Sequence, residues 1–205
     1  MMSNEHNTTS AHKNESYKLF VLGELMDGPH HGYGLREILS RMLGPFRQIS
    51  WGVLYPLIRQ LEREGLLESV AEADAEQCSS AASGKQRKYY RITKDGQERF
   101  RTLMLERDDY TADYPELFTI KLNNFDHISR EEQLSILWHY RGYLQVVDFY
   151  LQGGQQFVTT NADVPENQRA HILRTISYRM SSPLAELSWI DQEIARLENE
   201  QEKNS

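Results

Sequence analysis

Apolar residues recur with a helical period along the first half of the chain, and polar breaks divide them into three short helices. Tyr17, Phe20, Val21, Leu22, Leu25 and Met26 cover a wide arc behind Ser16, a good N-cap, which predicts a helix buried in the middle of a bundle. Asp27, Gly28 and Pro29 end it. Past the turn GPHHG, Leu35, Ile38, Leu39 and Met42 repeat at i, i+3, i+4 and i+7, and Gly44 and Pro45 stop this second helix. A third stripe, Leu54, Leu57, Ile58 and Leu61, closes at Gly65, which suits a left-handed cap. Its start has two solutions. With Ser50 as cap, Pro56 is interior and forfeits a hydrogen bond to the Gly52 carbonyl; with a start near Tyr55, Pro56 is a favourable first-turn residue.

The period then changes to two. LLESV and KYYRIT read as short strands, with Tyr90 and Ile92 alternating against Tyr89 and Arg91, and the small, polar stretch AEADAEQCSSAASG between them reads as a loop. Thr93 caps a helix whose Phe100, Leu103 and Met104 share a face. Three short helices, a two-stranded hairpin and a helix follow the order of a winged helix-turn-helix, a fold that reads the major groove in many proteins and docks protein partners in others.

From about Tyr110 the pattern lengthens. DDYTADYPELF reads as a connector, and Ser129, Glu131 and Glu132 open a long amphipathic helix that should break at Gly153 and Gly154. A last helical region begins near Pro165 or Glu166. Its apolar positions Leu173, Ile176, Met180, Leu184, Leu187, Ile190, Ile194 and Leu197 are spaced close to a coiled-coil seam, so this stripe should pack on another long helix, with Pro183 kinking or dividing it. The expected class is mainly α with a small β-hairpin wing: residues 1–15 a disordered polar tail, 16–108 a winged helix-turn-helix domain, and 109–205 a helical dimerisation domain that is also the candidate effector-binding domain.

Charge changes the picture once the chain is halved. The net charge is −7, but residues 1–105 hold 14 Lys+Arg against 13 Asp+Glu, while residues 106–205 hold 9 against 17. The acidic excess lies in the second half, and Lys85, Arg87, Lys88, Arg91, Lys94, Arg99 and Arg101 form a basic stretch interrupted only by Asp95 and Glu98. A local basic patch is what attraction to phosphates requires. The single cysteine, Cys78, has no neighbouring cation to activate it and excludes an intrachain disulfide and any cysteine-cluster zinc site. The seven histidines show no metal-ligand spacing, and nucleophile elbows, phosphate-binding glycine loops and paired catalytic carboxylates are missing, so neither an enzyme nor a cofactor is expected. No apolar run reaches the roughly 18 residues of a membrane span, and the first fifteen residues lack a signal-peptide core, so the expected location is the cytoplasm.

The segments GPHHGYGLREIL, ISWGVLYPLIRQLEREGLLES and KQRKYYRITKDGQERF together resemble the PadR family of bacterial transcriptional regulators. The likeness covers about residues 16–105, and the helical second half is similar in kind to the dimerisation domain of the larger members. It implies a homodimer joined through the C-terminal helices, a double-stranded operator DNA as partner, and repression released by a small aromatic effector. Two departures stand out. Members commonly carry Ser-x-Gly-Thr before Leu-Tyr-Pro, where this chain has Ser50, Trp51, Gly52 and Val53, and the wing loop here carries Glu72, Asp74 and Glu76.

A helical wheel puts Gly52, Pro56, Arg59 and Arg63 opposite the core arc, with Tyr55 at its margin. The residues expected to meet DNA are Ser50, Trp51, Tyr55 and Arg59 on this helix, His31 and Tyr33 at the start of the second helix, and Lys85, Arg87 and Lys88 where the wing returns. Each has a plainer reading: Arg59 paired with Glu62, Trp51 buried, His31 and Tyr33 capping or packing within their turn. Among the aromatic residues of the second half, Trp138 and Trp189 are the candidate reporters of an effector held between the winged helix and the C-terminal helices. A winged-helix module that docks another protein, without DNA, is the alternative function.

Overall fold

The computed structural model describes residues 3–44, 49–71, 88–107 and 109–202, with the backbone alone for residues 3–13 and 200–202. In chain order its elements are α1 (Ser3–Glu24), β1 (His30–His31), α2 (Gly32–Met42), α3 (Trp51–Arg63), β2 (Leu67–Val70), β3 (Tyr89–Ile92), α4 (Lys94–Leu105), α5 (Tyr114–Leu122), a 3-10 turn (Phe125–His127), α6 (Arg130–Thr160) and α7 (Glu166–Glu202). They form two compact units, Met1–Ile128 and Ser129–Ser205.

The first unit is a winged helix built around α1. Leu19, Phe20, Val21, Leu22 and Leu25 are buried on nearly every side of that helix, as the wide apolar arc requires, against Leu35 and Leu39 of α2, Leu54, Leu57, Ile58 and Leu61 of α3, and Phe100, Leu103 and Met104 of α4. The antiparallel sheet has the order β1-β3-β2, with Leu67 opposite Ile92 and Val70 opposite Tyr89. Two strands were expected, and among the described residues there are three. Gly28, at φ 140°, turns the chain so that His30 and His31 pair with Tyr90 and Tyr89 along the edge of β3 that a two-stranded hairpin would leave open.

One junction ties helix, sheet and helix together. Gly65 leaves α3 with φ 75°, the left-handed exit expected of it, and the next residue, Leu66, accepts a hydrogen bond from Thr93 N–H at 3.1 Å. The Thr93 hydroxyl donates to Gly65 O at 2.7 Å and accepts from Gly96 N–H at 3.1 Å, capping α4. Gly96 lies so close to this carbonyl that a Cβ there would stand 2.2 Å from Leu66 O.

In the second unit α6 and α7 form an antiparallel pair: Tyr140 meets Glu186 at 2.5 Å, Arg141 meets Asp191 at 2.6 Å, and the Arg169 side chain reaches back to the end of α6. Ser129 and Glu132 make the capping box that opens α6. Its far end is closed by the Arg169 guanidinium, which donates to the carbonyls of Val158, Thr159, Asn161 and Val164. Val158 and Thr159 are in the last turn of α6, whose carbonyls a helix end leaves unpaired, Asn161 is its C-cap, and Val164 lies in the turn that follows.

Four local expectations need correction. Helix α1 begins at Ser3, inside the stretch expected as a disordered tail, because no Gly or Pro interrupts residues 3–22 and extending a formed helix costs far less than starting one. The expected connector contains α5, where Pro115 sits in the first turn and suits a helix start. Helix α5 lies on α1 and the 3-10 turn follows it, so the units divide at Ile128–Ser129 and not at the expected 108–109. Helix α6 continues through Gly153 and Gly154, and Pro183 does not divide α7, since pairing along their length outweighs the weak positions. A Cβ on Gly154 would stand 3.8 Å from Ile176 Cδ1, so the helices approach closely at that point.

Gly96→Ala should destabilise the first unit by about 1–3 kcal/mol, the usual cost of forcing an added methyl into a packed site. Gly52→Ala, whose Cβ would meet only Ser50 Oγ at 3.6 Å, should not destabilise it. Urea unfolding of both variants checks the pair, and equal stabilities would refute the close contact.

Candidate nucleic-acid interface

Helix α3 has two unlike faces. Leu54, Leu57, Ile58 and Leu61 are buried, while Gly52, Val53, Tyr55, Pro56, Arg59 and Arg63 are exposed. The helix begins at Trp51 with Ser50 in extended backbone before it, which settles the choice of start: Pro56 is interior. Ser50 makes no side-chain cap; its carbonyl accepts from Val53 and Leu54 N–H. The bond that Pro56 forfeits falls on the exposed side, where water can reach the Gly52 carbonyl.

The cations on and beside this face are held by neighbours. Arg59 donates from Nε and Nη2 to the Tyr55 hydroxyl at 3.0 and 2.7 Å, one helical turn back, and lies 5.1 Å from the centre of that ring. Its contact with Glu62 is looser, at 3.8 Å. Glu62 instead accepts from Lys88 Nζ at 2.7 Å, a link from α3 to the base of the wing. That hydrogen bond holds the Glu62 carboxyl below the usual carboxylate range. Lys88 also lies 5.2 Å from the Tyr90 ring, whose hydroxyl burial pushes up.

A second group surrounds the N-terminus of α2. His31 caps that helix, its Nδ1 accepting from Gly34 N–H at 2.7 Å, and its ring meets Tyr89 edge-on at 5.5 Å and Tyr33 at 6.3 Å. Tyr33 is 62% exposed and stands 6.1 Å from Trp51, which is 38% exposed, so Trp51 is neither buried nor fully free. Arg36, which the sequence reading passed over, places its guanidinium 5.3 Å over the indole. Its signal was its spacing, three residues after Tyr33 on the outer side of α2. The expected site residues thus fall into two neighbouring groups, His31, Tyr33 and Trp51 in one and Tyr55, Arg59 and Lys88 in the other. Lys85 and Arg87 lie outside the described residues, as do Glu72, Asp74, Glu76 and Cys78.

Sequence spacing also missed a mixed group at the far end of α1. Asp27, Asp126 and His127 bring one potential metal-ligand atom each within 4.8 Å of one another, with both aspartates exposed. In the second unit Trp138 and Trp189 are each a little under half exposed. Arg141 lies 5.4 Å over the Trp138 ring and is bound to Asp191, two residues beyond Trp189. Among the described residues no helix is long and apolar enough to cross a membrane.

Fold and outer face define a winged helix-turn-helix protein. The family model described as "Transcriptional regulator PadR-like family" matches residues 21–102. That match lies within the first unit. Among solved structures it is similar to Bacillus subtilis PadR in complex with operator DNA, at 18% identity and TM-score 0.40 over 88% of this chain and 98% of that one. It is similar to the same protein in complex with p-coumaric acid, at 17% and 0.38 over 89% and 99%. A PadR family transcriptional regulator from Eggerthella lenta DSM 2243 is 29% identical, with TM-score 0.35 over 50% and 84%. No curated protein matches the chain.

His30, in β1 beside the cap of α2, carries a testable charge effect. Burial, ahead of the neighbouring His31, lowers its pKa below the usual 6.5. The unfolded chain therefore binds this proton more readily, and stability from neutral His30 is complete above pH 6.5 and is lost as pH falls toward its folded value. Glu24, whose carboxyl burial raises, acts in the opposite sense at lower pH, so the difference between proteins is the measurement. His30→Gln should lose less thermal stability than the parent between pH 7 and 5.5; parallel profiles would contradict the assignment.

Proposed function

We propose that the protein is a homodimeric repressor that binds a pseudo-palindromic operator, each winged helix placing the outer face of α3 in the major groove of one half-site. Half-sites would lie roughly 34 Å apart, one helical turn. The observation that carries this reading is the α3 face itself. Gly52 and Pro56 keep it low, with Trp51, Tyr55 and Arg59 standing at its borders and Lys88 nearby, a mixture suited to close approach and phosphate contact. His31 acts from beneath as the cap that fixes Tyr33, and Ser50, Lys85 and Arg87 extend the contact along the backbone.

Dimerisation through the second unit is supported by apolar surface its own chain leaves open. Val146, Tyr150 and Phe157 recur at helical spacing on α6 with Phe149 beside them, all more than half exposed, and Tyr178 is 79% exposed on α7. Exposed aromatic stripes of this kind mark protein interfaces. A small planar aromatic effector would bind near Trp138 and Trp189 and release the DNA by favouring a dimer whose half-site spacing no longer fits.

A gel shift on the DNA upstream of the gene, run at several salt concentrations, tests the central claim. Binding should fall steeply with salt. Arg59→Ala should weaken it by about 1–3 kcal/mol, the range for one good base contact. Lys88→Ala should weaken it too, while Glu62→Gln, which releases Lys88, should strengthen it at low salt. No shift at low salt would favour the protein-docking alternative. For the effector, phenolic and other planar compounds should change tryptophan fluorescence in a Trp51→Phe background, where only Trp138 and Trp189 report. A signal unmoved by any of them would remove this part of the proposal.

A further inference from the structure

We infer that Arg36 binds a backbone phosphate of the operator and that Trp51 is its positioning residue, a role that rests on the DNA-binding reading above. Helix α2 precedes the groove-facing helix, and in this motif the first helix crosses the sugar-phosphate backbone while the second enters the groove. A cation on the outer side of α2 therefore meets phosphate and not base edges. Arg36 is such a cation, and among the described residues no carboxylate pairs with it. Its neighbour Glu37 is engaged by Arg41 at 2.6 Å.

What distinguishes Arg36 from an ordinary surface arginine is its support. The guanidinium lies 5.3 Å from the centre of the Trp51 ring. The indole is itself fixed from below. A Cβ on Gly32 would stand 3.7 Å from Trp51 Cζ3 and 3.7 Å from Ile58 Cδ1, ordinary contact distances, so the ring lies against the start of α2. Tyr33 stands beside it at 6.1 Å, and Tyr33 is next to His31, whose Nδ1 caps the same helix. The chain of support runs from the backbone of α2 through aromatic rings to the guanidinium. A guanidinium over an aromatic face keeps the N–H fork at its edge available, and that fork fits two phosphate oxygens. Less side-chain freedom is lost on binding, because it has already been given up in the free protein. Trp51 thus acts without touching DNA, by holding Arg36 where a phosphate arrives.

The test is a double-mutant cycle on operator binding measured across a salt series. Arg36→Ala removes one contact from each half-site, so it should lower affinity roughly a hundredfold, about tenfold for each charge-assisted contact, and lessen the slope of log K against log salt by about 1.8, the share of two phosphates. The loss should be the same on every operator variant, since no base is read. Trp51→Ala should produce most of that loss, Trp51→Phe little of it, and the double variant no more than Arg36→Ala alone. Thermal unfolding of each variant separates a binding loss from a folding loss, and Arg36→Lys, which keeps charge without the planar fork, should fall between. If the parent binds with a steep salt slope that Arg36→Ala leaves unchanged, or if the two losses add, this inference fails and the DNA-binding reading stands. If the parent binds no DNA at low salt, both fail.

Discussion

The Leu66 carbonyl oxygen is the point on which the winged unit is hung. It receives the Thr93 N–H, and Gly96 presses against it so closely that no other residue fits without displacement. Because Leu66 directly follows the left-handed exit of α3, and Thr93 directly precedes α4, this one acceptor fixes the end of α3, the root of the hairpin and the start of α4 in a single place. The reach of Lys88 to Glu62 follows from it: the two are 26 residues apart in sequence, yet the strand that carries Lys88 is rooted beside the helix that carries Glu62. A local steric fact at Gly96 thereby sets where β2 and β3 stand relative to α3.

The cations of the candidate interface already have partners in the free protein. Arg59 is bound to Tyr55, Lys88 to Glu62 and Arg36 to Trp51, each by a different kind of contact. These three differ in what a phosphate must displace. A carboxylate partner competes directly for the cation, a phenol hydroxyl competes weakly, and an aromatic face does not compete at all. Glu62 therefore opposes indiscriminate attraction, whereas Tyr55 and Trp51 mostly orient. The whole chain carries −7, a charge that does not favour indiscriminate attraction to DNA.

Much of this was legible in the sequence because it is periodic or stereochemical. The core arcs of α1 to α4, the cap by Thr93, the left-handed Gly65 and the Ser129 capping box each follow from a few neighbouring residues. What was hidden depends on partners far along the chain. His30 and His31 become a strand only because Tyr89 and Tyr90 lie beside them, and α6 survives Gly153 and Gly154 only because α7 returns along it. Arg36 was passed over for the same reason: its spacing from Tyr33 is visible, but its place over Trp51 depends on how α2 meets α3. Helix α5 was missed because the segment around Pro115 reads as a connector, whereas that proline sits in the first turn of a helix.

The segment Trp51–Arg59 joins these points. A helix designed only for stability would put alanine at Gly52 and a residue with an N–H at Pro56, and neither change would disturb the core, since both positions are exposed. The weakness is confined to the solvent face, where water satisfies the Gly52 carbonyl, so its cost is below that of a buried interior proline. In return the face gains a shallow strip one turn long, bordered by the Trp51 and Tyr55 rings, each carrying an arginine guanidinium. A low backbone flanked by two aromatic-supported cations is a shape that a continuous run of good helix formers does not produce, because their side chains would fill the strip. The poor helix-forming residues of α3 are thus accounted for by its outer surface and not by its core.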